Sequence, residues 1–226
     1  MSMPRGALWI FGYGSLMWRP DFLSVESARA RLDGWNRCFC ISSTHHRGSA
    51  ARPGLVLGLD RGGLCEGIAY RVGEADAANV LSYLRLREQI NGVYCEKWVS
   101  VTLGSEPRHS VTALAFVVER CHPSYAGRLP LAEQAHLIRG ARGISGVNLD
   151  YLFNTVRHLQ DLGIRERSLE RLAALAGPHI QHMANGAHAS PSAHAICRVV
   201  ARLPDAARRM RRDQRRRFLY RGRMGQ

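Results

Sequence analysis

Lysine is nearly missing from this chain: Lys97 is the only one among 32 Lys and Arg residues. No apolar run approaches the roughly 20 residues that a membrane-spanning helix requires. The opening Met1-Ser2-Met3-Pro4-Arg5-Gly6 lacks the long apolar stretch and small-residue cleavage site of a secretory signal. A cytoplasmic chain with no membrane span is therefore expected. The six cysteines, at 38, 40, 65, 95, 121 and 197, form no CxxC pair. That scatter excludes a structural zinc site or a disulfide framework and predicts reduced thiols. No Gly-Lys-Ser/Thr sequence follows a glycine-rich stretch, so a P-loop is excluded. No internal repeat appears at a period of about 20 to 50 residues.

What is present is a chain of 226 residues, 46% hydrophobic and 8% aromatic, enough to bury the core of one sizeable domain. Its formal charge of +14 is unevenly spread. Residues 184–226 hold 11 arginines against Asp205 and Asp213, a net +9, which leaves +5 for residues 1–183. The basicity thus belongs mostly to an appendage and does not argue that the body binds nucleic acid. The expected organisation is a catalytic domain over 1–183 and an arginine-rich, flexible or weakly helical tail over 184–226. Such a tail suits weak contact with a polyanion such as RNA or an anionic membrane surface.

The first 120 residues read mainly as strands. Ala7–Phe11, Arg37–Ser43, Leu55–Leu59, Gly67–Val72, Lys97–Leu103 and Val111–Val118 are short apolar or alternating runs. Glycine, proline and the Asp60-Arg61-Gly62-Gly63 sequence read as the turns between them. Helices are expected from Glu74 to about Arg87, then over Leu131–Arg139, Leu149–Leu162 and Arg167–Ala176. The third of these four carries apolar residues at 149, 152, 153, 156 and 159, a stripe that should pack on the sheet. Gly163 and Gly177-Pro178 are stop signals. Mostly antiparallel strands followed by covering helices predict an α+β fold with a closed or strongly curved, barrel-like sheet.

Two segments carry candidate chemistry. In Ile10-Phe11-Gly12-Tyr13-Gly14-Ser15 a strand runs into a Gly-x-Gly turn. Such a turn can bring successive backbone N–H groups to one point, suited to an anionic or carbonyl oxygen. The dinucleotide fingerprint would need a third glycine where Met17 stands, and Ser15 lacks the Gly-x-Ser-x-Gly elbow of a nucleophile. A ligand loop and an ordinary tight turn both remain open on these residues alone. The second segment is the end of the first helix. On a helical wheel Ala77, Val80, Leu81 and Leu84 define the buried face, and Glu88 falls in its middle. A carboxylate aimed at the core must be paired, protonated or working, and burial would raise its pKa towards that of a useful base. The competing reading ends the helix earlier and leaves Glu88 solvated. Among other polar groups, Arg47 of His45-His46-Arg47-Gly48 offers a cation for a substrate carboxylate. Tyr94 and Tyr151 offer hydroxyl groups to a ligand.

Several dispersed segments follow one another in a known order: Phe11-Gly12-Tyr13-Gly14-Ser15-Leu16-Met17-Trp18, His46-Arg47-Gly48, Pro53-Gly54-Leu55-Val56-Leu57-Gly58-Leu59, Gly67-Ile68-Ala69-Tyr70-Arg71-Val72 and Arg87-Glu88-Gln89 before Gly92-Val93-Tyr94. With Gly146-Val147-Asn148 and Tyr151-Leu152, the sequence over about residues 8–177 resembles the ChaC family of γ-glutamylcyclotransferases. One departure is Asn91-Gly92, where the family often has paired glycines. The resemblance implies a compact barrel flanked by helices and an enzyme, a carbon–nitrogen lyase that cleaves glutathione into 5-oxoproline and cysteinylglycine without metal or cofactor. It also implies that Glu88 is the catalytic acid/base and that Ile10–Ser15 holds the γ-glutamyl group. The alternatives are the same chemistry on other γ-glutamyl amines or amino acids, and a non-catalytic regulatory or RNA-binding protein on the same scaffold. The arginine tail lies outside the resemblance.

Overall fold

The computed structural model describes residues 7–88, 92–104 and 109–177. The arginine-rich segment 184–226, Asn91 of the expected turn and Pro178 lie outside the described residues. Five strands, β1 (Leu8–Gly12), β2 (Glu26–Ser43), β3 (Gly54–Val72), β4 (Tyr94–Leu103) and β5 (Ser110–Val118), close into a barrel in the order β1-β3-β2-β4-β5. All neighbours run antiparallel except β1 and β5, which close the barrel in parallel. Four helices follow or interrupt the strands: α1 (Ala77–Glu88), α2 (Leu131–Gly140), α3 (Asn148–Asp161) and α4 (Arg167–Ala176). Two short strands, β6 (Arg142–Gly143) and β7 (Gly146–Val147), pair just before α3. No described helix is long and apolar enough to cross a membrane.

Strand alternation separates two main clusters of the core, and a smaller third gathers Cys40, Ile41, Val93 and Val118. From β1 and β5, Trp9, Phe11, Ala113, Ala115 and Val117 join one cluster with Ala30, Leu32, Leu59, Val101 and Leu103. Leu8, Ile10, Leu114 and Phe116 join another with Val80 and Leu84 of α1, Ile138 of α2, Leu152 and Leu159 of α3, and Leu172 of α4. β1 is buried along its whole length because it serves both clusters. The alanines of the first cluster let the large rings of Trp9 and Phe11 share a confined barrel interior.

Three expected features differ. β2 starts at Glu26, not near Arg37. Its first half alternates inward Ala28, Ala30 and Leu32 with outward Arg29, Arg31 and Asp33, a β pattern written in residues of modest strand preference. Asp60-Arg61-Gly62-Gly63 is not a turn between two strands but lies within the single strand β3. Gly62 and Gly63 take φ of 96° and 80°, facing Gly34 at 80°, where the β2–β3 register shifts between Asp33 and Trp35. A glycine bulge absorbs there the backbone geometry that otherwise signals chain reversal. The first helix is preceded by a 3-10 turn, Glu74–Asp76, so α1 itself begins at Ala77.

Candidate active site

β1 delivers the chain into the Gly-x-Gly turn. Tyr13 is buried, and its hydroxyl donates to the Phe116 carbonyl at 2.8 Å. Ser15–Met17 then form a 3-10 turn, closed by Met17 N–H donating to Gly14 O at 2.9 Å. The first N–H groups of such a turn have no acceptor within it. Gly12 is needed for closeness: a Cβ there would lie 3.1 Å from Leu16 Cβ. Gly67 of β3 leaves room for the Gly12 carbonyl, which a Cβ at 67 would strike. Tyr70 braces the far side, its hydroxyl reaching Leu16 O at 3.1 Å and Met17 O at 2.8 Å. Ile10 and Phe11 are fully buried in opposite clusters, so they offer a ligand no side chain.

Glu88 is the last residue of α1, and its side chain is 17% exposed. Burial raises its pKa, and the Arg87 guanidinium beside it pulls the other way. Arg87 Nε lies 3.0 Å from Glu88 Oε1. The same guanidinium donates through Nη2 to Ser15 Oγ at 2.9 Å, and through Nη1 to Arg19 O at 2.7 Å and Tyr83 Oη at 2.9 Å. One side chain therefore ties the carboxylate to the glycine turn.

Three tyrosines, Tyr13 buried and Tyr94 and Tyr151 partly buried, lie near enough to this carboxylate to feel its charge. Burial first of all raises the pKa of each, that of Tyr151 to about 12. Their hydroxyls therefore stay neutral at physiological pH. Tyr94 Oη donates to Leu57 O at 2.6 Å, so the β3 backbone orients that ring. Tyr151 reaches this point because Asn148, wholly buried at the start of α3, makes two bonds of 2.7 Å to the Leu55 backbone. Phe39 meets the Tyr151 ring edge-on at 5.7 Å between centroids. Arg47 places its guanidinium carbon 5.0 Å from the centre of that ring and donates to Val147 O at 3.2 Å. His45 and His46 are exposed, and His46 Nδ1 lies 3.0 Å from Ser145 Oγ.

The turn, Glu88, Tyr94, Tyr151 and Arg47, widely spaced in sequence, thus share one region, whereas Ile10 and Phe11 stand behind it. Sequence reasoning did not single out Arg87, Asn148 or Arg37. The Asn148 signal was present, since a polar residue opening an apolar helical stripe has to find a partner. Arg37, fully buried and bonded to the Tyr13 carbonyl, had no such signal within its own strand. A cleft of about 180 Å³ between β2, α2 and α4 is lined by Asn36, Arg37, Phe39, Arg128, Gln134 and Ser168 among others, and by none of Glu88, Tyr94, Tyr151 and Arg47.

The family model described as ChaC-like protein matches residues 8–177. Glutathione-specific γ-glutamylcyclotransferase of Escherichia coli is 39% identical over 168 residues, spanning 74% of this chain and 72% of that protein. Glutathione-specific γ-glutamylcyclotransferase 1 of Homo sapiens is 40% identical over 171 residues, spanning 75% of this chain and 77% of that protein. Among solved structures, a yeast γ-glutamyl cyclotransferase specific to glutathione superposes with a TM-score of 0.68 at 22% identity, covering 75% of this chain and 95% of that one. That likeness concerns the fold, and the match to its relatives in sequence concerns descent. The family model over residues 8–177 and the relatives at 39% and 40% identity place this chain in the ChaC-like family.

Proposed function

We infer that this protein degrades glutathione by cyclising its γ-glutamyl group, releasing 5-oxoproline and cysteinylglycine. The observation that carries the mechanism is a desolvated carboxylate, Glu88, tied through the Arg87 guanidinium to Ser15 of the glycine turn, with Tyr13, Tyr94 and Tyr151 near enough to feel its charge. At neutral pH the substrate's α-amine is an ammonium and cannot attack. The Glu88 carboxylate accepts its proton, and the nitrogen lone pair then attacks the γ-carbonyl carbon of the same glutamyl unit. A five-membered ring closes, and the carbonyl electron pair moves onto oxygen. N–H groups of the Tyr13-Gly14-Ser15 turn are suited to receive that oxyanion. When the carbonyl re-forms, the bond to the cysteinyl nitrogen breaks: Glu88 returns its proton to that leaving amine, and the ring nitrogen gives up its second proton, which completes the cysteinylglycine ammonium. The reaction is intramolecular, so holding the glutamyl arm in a folded attack geometry supplies much of the rate.

The tyrosines have defined polarity for this task. Tyr13 and Tyr94 spend their hydroxyl protons on Phe116 and Leu57 carbonyls, which leaves their oxygens as acceptors for substrate N–H. Arg47, steadied on the Tyr151 face, is a cation for a substrate carboxylate. A carboxylate kept in this desolvated position favours an enzyme over a scaffold that has lost catalysis. Five described cysteines are free thiols, which suits the reducing cytoplasm proposed as its location. We place the domain boundary near residue 183 and assign the arginine segment beyond it a salt-dependent polyanion contact.

Purified protein incubated with glutathione should release 5-oxoproline and cysteinylglycine, read by mass spectrometry. α-N-acetylated glutathione should give none, since its nitrogen is no longer a nucleophile. Release from γ-glutamyl-alanine as fast as from glutathione would overturn glutathione preference while leaving the cyclotransferase chemistry intact.

A further inference from the structure

Arg37 is the largest of the fully buried side chains, and its guanidinium is wholly shielded from solvent. A buried charge costs heavily unless several partners compensate it, and a packing role alone would be met by an apolar residue. Its partners converge on one place. Nε donates to the Tyr13 carbonyl, Nη2 donates to the Glu66 carbonyl with Met17 Sδ at 3.7 Å, and Nη1 lies 3.1 Å from Glu166 Oε2. Glu166 stands just before α4, where Ser168 Oγ donates to its second carboxylate oxygen at 3.1 Å. Its backbone is fixed too, with Glu170 N–H donating to Glu166 O at 3.0 Å.

We propose that Arg37, oriented by Glu166, is a positioning residue that fixes and polarises the Tyr13–Gly14 peptide so that the Gly14 N–H serves the cyclisation oxyanion. In a planar trans peptide the C=O and N–H groups point in opposite directions. Capturing the Tyr13 oxygen from behind therefore directs the Gly14 N–H away from Arg37. The positive charge at the carbonyl oxygen also draws electron density from the peptide and makes its N–H a stronger donor. A rotated or mobile peptide would present that donor only part of the time. Arg87 holds Ser15 through its Oγ, so a guanidinium grips the turn on each side of Gly14. This role rests on the cyclotransferase reading given above.

The test uses the full chain with Arg37→Lys and Glu166→Gln, assayed with glutathione well below each variant's thermal midpoint. Lysine keeps the charge but cannot span three acceptors, so kcat should fall about tenfold or more with KM within about twofold, because the interaction is made in the transition state. Glu166→Gln, partly exposed and milder, should lower kcat about threefold by freeing Arg37 to shift. In both, the ¹⁵N-labelled Gly14 amide resonance should move, a readout that a purely structural brace elsewhere would not change. A folded variant with kcat within about twofold of the parent and an unmoved Gly14 resonance overturns the proposal. If Arg37→Lys fails to fold, Glu166→Gln decides by the same two readouts. If the parent itself yields no 5-oxoproline, the cyclotransferase reading falls, and the Gly14 resonance still decides whether Arg37 and Glu166 set that peptide.

Discussion

Asp60 and Glu88 are both shielded carboxylates, yet their pKa values move in opposite directions. Burial pushes both upward. At Asp60 that push is overcome: Arg120 Nε donates to Oδ1 at 2.7 Å, Arg61 N–H to the same oxygen at 2.8 Å, and Tyr125 Oη to Oδ2 at 3.0 Å. At Glu88, among the described residues, Arg87 is the cation that opposes burial, and its guanidinium is shared with Ser15, Tyr83 and the Arg19 carbonyl. A carboxylate faced by several donors is held ionised and has little lone-pair capacity left to offer a proton. A desolvated one with a single competing partner is poised to take a proton and give it back. Number of donors, more than depth of burial, separates the structural carboxylate from the one fit for catalysis.

The sharpest way to break this comparison is Glu88→Gln. The amide is nearly isosteric but cannot accept the ammonium proton, so kcat should drop by at least about 10²-fold in a folded protein. Turnover close to the parent's would remove Glu88 from the role of base. Stability should respond with a definite sign. A carboxyl whose pKa is raised by folding contributes stability that is present below its unfolded value, about 4.3, and lost as pH rises through the folded value. Denaturation midpoints should therefore shift in favour of the variant, relative to the parent, as pH rises from about 4 to about 8.

Asp60→Asn should do the reverse. It removes the charge that three donors face and turns an NH₂ group towards one of them, at a cost of about 2–3 kcal/mol in stability. Activity per folded molecule should be little changed, because no substrate group is assigned to Asp60. Its pH dependence also has the opposite sign. With its folded pKa lowered, Asp60 contributes stability above its unfolded value near about 3.9 that is lost as pH falls through the folded value. The parent's advantage over Asp60→Asn should therefore fade in acid, as urea titrations across that range would show.

The contrast between these carboxylates was half legible in sequence. Glu88 stood out because α1 sets a period in which Ala77, Val80 and Leu84 face the core and 88 follows one turn later. Asp60 sat in Asp-Arg-Gly-Gly, a composition that reads as a turn, and only the β2–β3 bulge reveals it as a strand residue turned inward. Its partners Arg120 and Tyr125 come from a segment some sixty residues away, a distance no local pattern spans. The barrel was legible because six apolar runs, two of them within β3, keep strand spacing. The first half of β2 was not, because alanine marks a buried strand face weakly.

A smaller effect sharpens the Glu88 side. Arg87→Met removes the cation that opposes burial, so the Glu88 pKa should rise further. The base must be ionised in the free enzyme, so the acid limb of kcat/KM for glutathione should move to higher pH. Loss of the bond to Ser15 should also lower kcat, and a pH profile separates the two effects. An acid limb that stays in place, or moves to lower pH, would mean that Arg87 does not set the titration of the base.

The smallest effect on chemistry is expected from the segment carrying the most charge. A chain ending at Asn185 loses 11 arginines and the net +9 of residues 184–226, but none of the residues placed around Glu88. The family match stops at residue 177, and α4 ends at Ala176 with its core contacts already made by Leu169, Leu172 and Ala173. The shortened protein should therefore fold and keep kcat and KM for glutathione within about twofold. Binding to RNA or anionic vesicles, measured at low and high salt, should fall sharply with the tail and lose most of its salt dependence, because released counterions track the number of cations engaged. One sequence feature pulls the other way: Ile196, Val199, Val200 and Leu203 lie at helical spacing, the pattern of a face that packs. If that face docks on the barrel, truncation exposes apolar surface on both sides of the lost contact. Aggregation or a lower melting temperature would then follow, and with it a domain boundary well beyond residue 183.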